Sequence, residues 1–191
     1  MTGLRDTAEF AFGDRTQRAW ADELARAGRS VLPTHAFDEV VPETRAPMMV
    51  SPRGLLVTPD VLTFNPKGQI AWHEVKGKTE PTWRKFRPGP RWEHGFDYSL
   101  LAEYRDVQST TGTRVFIVVG ESRSPISEDS DELGPPGPWL YVSLNDVQEH
   151  GEYRETWPGG ASEPWRRGRD GKGGLLWARR IMREWRPRCG S

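Results

Sequence analysis

The sequence predicts an α/β fold, a central mixed sheet flanked by helices, on three observations. An apolar stripe of Trp20, Leu24 and Ala27 runs at helical spacing into Gly28, and two β-rich runs, 54–64 and 69–76, flank a Pro- and Gly-containing turn. A nearly continuous apolar run, 114–120, follows a second helical stretch. The 191 residues suit one domain of ordinary size. A hydrophobic content of 35% is lean, but nine Trp and seven Phe bury a large area per residue. The 20 Gly and 16 Pro imply long irregular excursions.

Taken in order, Asp14 or Thr16 can cap a helix over Arg15–Gly28, with the Trp20 stripe as its core face. Residues 30–37 read as a short strand and 41–52 as a Pro-punctuated connection. The runs 54–64 and 69–76 form an antiparallel hairpin around Asn65-Pro66-Lys67-Gly68. Residues 77–94 hold three Pro and no apolar period, so they read as a long surface loop. Asp97 can cap a helix from Tyr98 to Thr110, stopped by Gly112, and 114–120 reads as a strand buried on both faces. The core order is therefore helix, strand, strand, strand, helix, strand. An acidic, Pro-rich stretch to Gly137 reads as a solvated loop, followed by a strand over 139–144 and a short helix from Asn145. The piece 173–185 (GGLLWARRIMREW) reads as a strand running into a helix, without a decisive signal.

Lys and Arg number 27 and Asp and Glu number 27, so the formal net charge is zero. That balance excludes a protein that grips nucleic acid through bulk positive charge, and equally a highly charged disordered chain. The zero is an average: residues 65–94 carry a surplus of four positive charges, 151–191 a surplus of five, and 121–150 an excess of six negative ones. A DNA partner held by a few local phosphate contacts remains compatible with it. The one cysteine, Cys189, excludes an intrachain disulfide and a cysteine cluster for zinc or iron–sulfur. No run approaches the ~20 apolar residues of a membrane span, and the N-terminal stretch lacks a secretory pattern, so a soluble cytoplasmic protein without membrane attachment is expected.

The chemistry concentrates on Pro59-Asp60 in the first hairpin run and Glu74-Val75-Lys76 in the second. Side chains alternate along a strand, so Glu74 and Lys76 share a face, and the hairpin brings Asp60 across to them. Two carboxylates in this arrangement are hard oxygen ligands suited to Mg²⁺ or Mn²⁺. Lys76 can hold an attacking water or neutralise charge developing on phosphorus. His73 faces the other side of the sheet and reads as structural.

Pro59, Asp60, Glu74, Val75 and Lys76 resemble the PD-(D/E)xK motif of the restriction-endonuclease-like nuclease superfamily, and the element order over residues 13–120 resembles its αβββαβ core. The resemblance implies a restriction-endonuclease-like core over 1–150, with long loops at 77–96 and 121–138, and a basic, Arg- and Trp-rich extension over 151–191 packed on the same domain. It implies that Asp60, Glu74 and the Val75 carbonyl ligate Mg²⁺ or Mn²⁺ and that Lys76 assists hydrolysis of a DNA phosphodiester. In the resolvase-like branch an acidic residue lies about eleven positions before the glycine that ends the first helix; here that position is Gln17, which brings no charge, with Asp14 or Glu23 on neighbouring turns. Members often carry a Gln or Tyr on the second helix, which points to Tyr104 and Gln108 as further catalytic residues. The region 83–108 also resembles small nucleases of phages and mobile elements. Within it, and just before it, Lys78, Arg84, Lys85, Arg87, Arg91 and Trp92 form a candidate nucleic-acid-binding set that grips phosphates or stacks on an unpaired base, or else an ordinary cationic loop. The implied function is a metal-dependent deoxyribonuclease, an endonuclease, with a homodimer as one allowed assembly. The alternative is a catalytically weak or inactive nucleic-acid-binding component of this fold. The C-terminal arginines read equally as phosphate ligands or as solubilising charge.

Overall fold

The computed structural model describes residues 8–34, 48–52, 54–78, 82–84, 91–121, 138–154 and 174–186. The first helix, α1 (Ala8–Arg26), begins a turn and more before the expected start and ends at Gly28, whose φ of +76° is the left-handed conformation that terminates helices. Strand β1 (Ser30–Pro33) follows. The expected connection before the hairpin contains a strand, β2 (Met48–Ser51), paired with β3 (Gly54–Val57). The expected strand over 54–64 is thus two strands, β3 and β4 (Val61–Phe64), separated by Thr58-Pro59-Asp60. Pro59 has no N–H to give a ladder, so the chain breaks there and changes partner.

The main hairpin joins β4 to β5 (Ile70–Lys78), with Val61 opposite His73. Its turn is fixed by the Asn65 side-chain oxygen, which accepts the N–H groups of Lys67 and Gln69, both at 2.9 Å. Residues 77–96 do not form one loop. They hold the end of β5, then β6 (Thr82–Arg84) and β7 (Arg91–Asp97), two strands of a second sheet. Helix α2 (Ser99–Thr111) starts after Tyr98 with no side-chain cap; Asp97, the expected cap, ends β7 instead. Gly112 closes α2 at φ +64°. The apolar run is β8 (Val115–Glu121), parallel to β5, and then come β9 (Trp139–Ser143) and α3 (Leu144–His150), capped by the Ser143 hydroxyl accepting the Asp146 N–H. Strands β10 (Glu152–Arg154), β11 (Gly174–Ala178) and β12 (Arg183–Glu184) complete the described chain, and the undecided piece 173–185 is a strand, a 3-10 turn at Arg179–Ile181 and a second short strand.

The main sheet runs β1-β4-β5-β8-β9-β12, and the second runs β10-β11-β7-β6. Around β5 the order helix, strand, strand, strand, helix, strand is α1, β1, β4, β5, α2, β8, in a mixed sheet flanked by helices. Alternation sorts the core. Val75, Val61 and Val118 face α1, where Trp20 and Leu24 bury against them. Trp72, Ile117 and Val119 face the other way, against Leu101, Tyr104 and Val107 of α2. His73, on the α1 side, accepts the Trp20 indole N–H at Nδ1 over 2.9 Å and contacts Thr63 through Nε2. Among the described residues no helix is long and apolar enough to cross a membrane.

Burial, and secondarily the Arg29 charge, lowers the His73 pKa to about 3 from 6.5. The unfolded chain takes up a proton near pH 6.5 and the folded chain does not, so stability falls as pH drops from 6.5 towards 3. Urea unfolding across this range should show that slope, and His73→Gln should flatten it. A second outcome concerns two glycines. A Cβ at Gly95 would lie 2.3 Å from Leu176 Cδ2 and 2.8 Å from the Leu175 carbonyl oxygen, whereas at Gly13 it would meet nothing within 4 Å. Gly95→Ala should therefore destabilise by about 1–3 kcal/mol, and Gly13→Ala, inside α1, should stabilise by up to about 1 kcal/mol; thermal melts read both.

Candidate active site

Asp60 is positioned by the break at Pro59. Freed from the β3 ladder and not yet committed to β4, its carboxylate turns to β5 and accepts the Val75 N–H at Oδ2 over 2.8 Å. Thr34 fixes the same corner from outside, its hydroxyl donating to the carbonyls of Pro59 and Asp60 at 2.9 Å. Glu74 sits one position before Val75 and is buried at 3% exposure. Lys76 Nζ lies 2.5 Å from Glu74 Oε1, and the lysine side chain is 30% exposed against 4% for the glutamate. Of this ion pair the lysine is thus the more exposed member and Glu74 the buried one.

Tyr104 enters from α2. It is buried and tilts against Phe96 with ring centroids 6.3 Å apart, and it lies close enough to Glu74 and Asp60 to feel their charge. Burial, then the charges of Glu74 and Asp60, push the Tyr104 pKa well up, so it stays a donor. Burial and the neighbouring Glu74 carboxylate raise the Asp60 pKa well above the usual range, against the pull of Lys76 and the Val75 N–H. Burial works against the Lys76 charge, but Glu74, Asp60 and Asp97 outweigh it and raise its pKa. Lys76 is thus charged throughout the physiological range.

Asp60, Glu74, Lys76 and Tyr104 are brought together. Gln108 is not. It lies one turn beyond Tyr104, where its Oε1 accepts the Val115 N–H at 3.0 Å and its Nε2 donates to Asn145 at 2.8 Å. The amide closes the open start of β8 and has no part in the cluster. Gln17 is half-buried on α1, three residues before Trp20, on the helix that covers the opposite sheet face. Of the cationic set, Lys78, Arg84, Arg91 and Trp92 lie in strands β5, β6 and β7, and Lys85 and Arg87 lie outside the described residues. Asp97, whose charge acts on Lys76, was not anticipated. Its place depends on β7 pairing with β11, Asp97 opposite Gly174, which no local pattern announces.

Among the described residues no three His, Cys, Asp or Glu side chains group as a metal site. The donor set is instead two carboxylates, with the Val75 backbone beside them. Two carboxylates close together, with burial and then the Glu74 charge disfavouring the Asp60 charge, fit a divalent cation that would neutralise both.

No family model matches the sequence, and none of the curated proteins matches it. Among solved structures the chain is similar to Hjc from Archaeoglobus fulgidus, a Holliday junction resolvase from an archaeal hyperthermophile, with 11% identity and a TM-score of 0.47 over 88% of this chain and 85% of that one.

The raised Asp60 pKa has a sign. The folded state holds the proton more tightly than the unfolded state, so this group favours folding at low pH and loses that contribution as pH rises through its folded pKa. Asp60→Asn keeps an acceptor for the Val75 N–H and removes the charge. In EDTA at pH 8 the variant should melt above the wild type, and the gap should close towards pH 4. Mn²⁺ should raise the melting temperature of the wild type and leave Asp60→Asn unmoved.

Proposed function

We propose that this protein is a divalent-metal-dependent deoxyribonuclease that hydrolyses DNA phosphodiester bonds as an endonuclease. The observation that supports this reading is the convergence of Asp60, Glu74 and Lys76, with Asp60 tied to the Val75 N–H and Glu74 to the Lys76 ammonium. Asp60, Glu74 and the Val75 carbonyl would hold Mg²⁺ or Mn²⁺. When bound, such a cation supplies a nucleophile at neutral pH and neutralises charge on the phosphoryl group.

The chain's own groups do the rest. The Val75 N–H holds the Asp60 carboxylate in one orientation, so the site does not have to rearrange on binding. Lys76 holds Glu74 by an ion pair, and Tyr104 is buried near it. Lys76, more exposed than Glu74, would contact the phosphate, and its raised pKa keeps it cationic as negative charge grows on the phosphoryl oxygens. Asp97 adds a negative charge near the ammonium and favours its protonated state.

Supercoiled plasmid DNA incubated with the protein and Mg²⁺ or Mn²⁺ should be nicked, and EDTA should stop the reaction. Asp60→Ala, Glu74→Ala and Lys76→Ala should each lose more than ~100-fold in rate if each group acts in the transition state. Cleavage that survives in all three variants sinks the proposal. DNA binding by a wild type that does not cleave identifies the protein as a binding component of this fold.

A further inference from the structure

The sheet face turned away from Glu74 and Lys76 carries a second group of residues. Arg114, Phe116, Tyr141, Ser143 and Arg183 all point to it, because Phe116 pairs with Ser143 and Arg183 with Tyr141, and the others follow by alternation. α1 covers this face over Val61, Val75 and Val118. Beyond that cover, Gln108, Arg114, Phe116, Tyr141, Asp146 and Arg183 line a cavity of about 300 Å³.

Three features give the cavity a ligand chemistry. First, Arg114 and Arg183 are exposed, and neither has an ion-pair partner among the described residues. They come from the start of β8 and from β12, and the Arg114 backbone is fixed by its carbonyl accepting the Trp72 N–H at 2.9 Å. Two guanidinium forks at one cleft match the oxygens of a phosphate. Second, the rings of Phe116 and Tyr141 are half-buried between them, with centroids 6.1 Å apart and planes at 68°. His73 and Trp185 support them from behind, at 5.9 and 6.3 Å. Rings braced in this way offer a planar partner a stacking surface with little ordering cost. Third, the one carboxylate at the rim, Asp146, already accepts the Ser143 hydroxyl at 2.7 Å and leaves the lining with a net positive charge. The volume suits a single ring-and-phosphate unit.

We propose that this cleft binds a nucleotide unit, its phosphate on Arg114 and Arg183 and its base against Tyr141 and Phe116. The unit can come from a free nucleotide or from a single-stranded end of nucleic acid; both present the same phosphate and ring. Its arginines and rings lie on the other face from Asp60, Glu74 and Lys76, while Gln108 of α2 closes the cavity at the start of β8, and the site stands or falls independently of the cleavage reaction.

Calorimetry of the full-length protein in EDTA tests it with four probes: deoxyadenosine monophosphate, inorganic phosphate, deoxyadenosine and a trinucleotide of deoxyadenosine. The monophosphate and the trinucleotide should bind, the two fragments at least ~10-fold more weakly, and each of Arg114→Ala and Arg183→Ala should cost about tenfold in affinity. Both arginines are exposed, so the variants keep the fold, which circular dichroism verifies. Asp60→Asn and Lys76→Ala should bind the monophosphate as the wild type does. A trinucleotide tighter than the monophosphate identifies a strand as the source, and equal affinities identify a free nucleotide. The proposal is overturned if neither nucleotide probe binds at roughly millimolar concentration, if the arginine variants bind as well as the wild type, if inorganic phosphate alone matches the monophosphate, or if Lys76→Ala removes the binding.

Discussion

The hydrogen bond from the Val75 N–H to Asp60 is the contact on which the candidate site depends. An N–H at this position of β5 would otherwise pair with a neighbouring backbone. Because Pro59 interrupts the chain between β3 and β4, an edge of β5 is left facing a side chain instead of a ladder partner. The bond therefore satisfies a buried backbone donor and fixes a carboxylate with one partner. It also carries a cost. Asp60 and Glu74 stand close together, and the Lys76 ammonium and the Val75 N–H are the groups that favour the Asp60 charge. Like charges so close destabilise the fold.

A second charged group offsets part of this strain by joining the two sheets. Glu121, at the end of β8, accepts two hydrogen bonds from the Arg179 guanidinium at 2.7 Å each, and its Oε1 lies 2.8 Å from His94 Nε2 on β7. Burial alone would raise the Glu121 pKa, but Arg179 and His94 hold it at about 2. Its stabilising contribution is complete above the usual carboxylate pKa and is lost as pH falls towards 2. The bidentate pair ties the turn after β11 to the main sheet. Since β11 pairs with β7, and β7 carries Phe96 against Tyr104, the clamp reaches the back of the candidate site through packed rings.

The core of the site was legible because its geometry is local. Glu74 and Lys76 are two residues apart on one strand, and Asp60 reaches them across a hairpin whose turn residues are explicit. The apolar runs of α1, α2 and β8 were legible for the same reason. What failed depended on distant partners. β7 shows no apolar period because one of its two partners is β11, some eighty residues later, and because His94 and Glu93 are buried as polar residues; β6 pairs with β7 alone. Asp97 read as a cap because it precedes a helix, yet the β11 ladder claims its backbone. Gln108 was placed correctly on a helix face with Tyr104, but the unpaired Val115 N–H at the start of β8 captured its side chain. The break at Pro59 was visible in principle: a proline within a 54–64 run argues against one continuous strand, and Met48–Ser51 then supplies the partner that Gly54–Val57 needs.

The parallel pairing of β5 with β8 explains how one small sheet can carry two separate polar groups. In register, Glu74 lies beside Ile117 and Lys76 beside Val119, while His73 lies beside Phe116. Beside the carboxylates this side of β8 presents Ile117 and Val119, and α2 closes over them, which keeps the dielectric low there. The opposite face carries Val118, Phe116 and then Arg114, and α1 covers Val118 and packs Trp20 on Trp139 and Trp185. A one-residue slip of β8 against β5 would put Phe116 and Val118 under α2 and expose Ile117 and Val119 to α1, so both groups would be lost together. The zero net charge of the chain conceals this division. The opposing charges lie at different places in the fold, and each local excess, negative around Asp60 and positive around Arg114 and Arg183, faces a different side of the sheet.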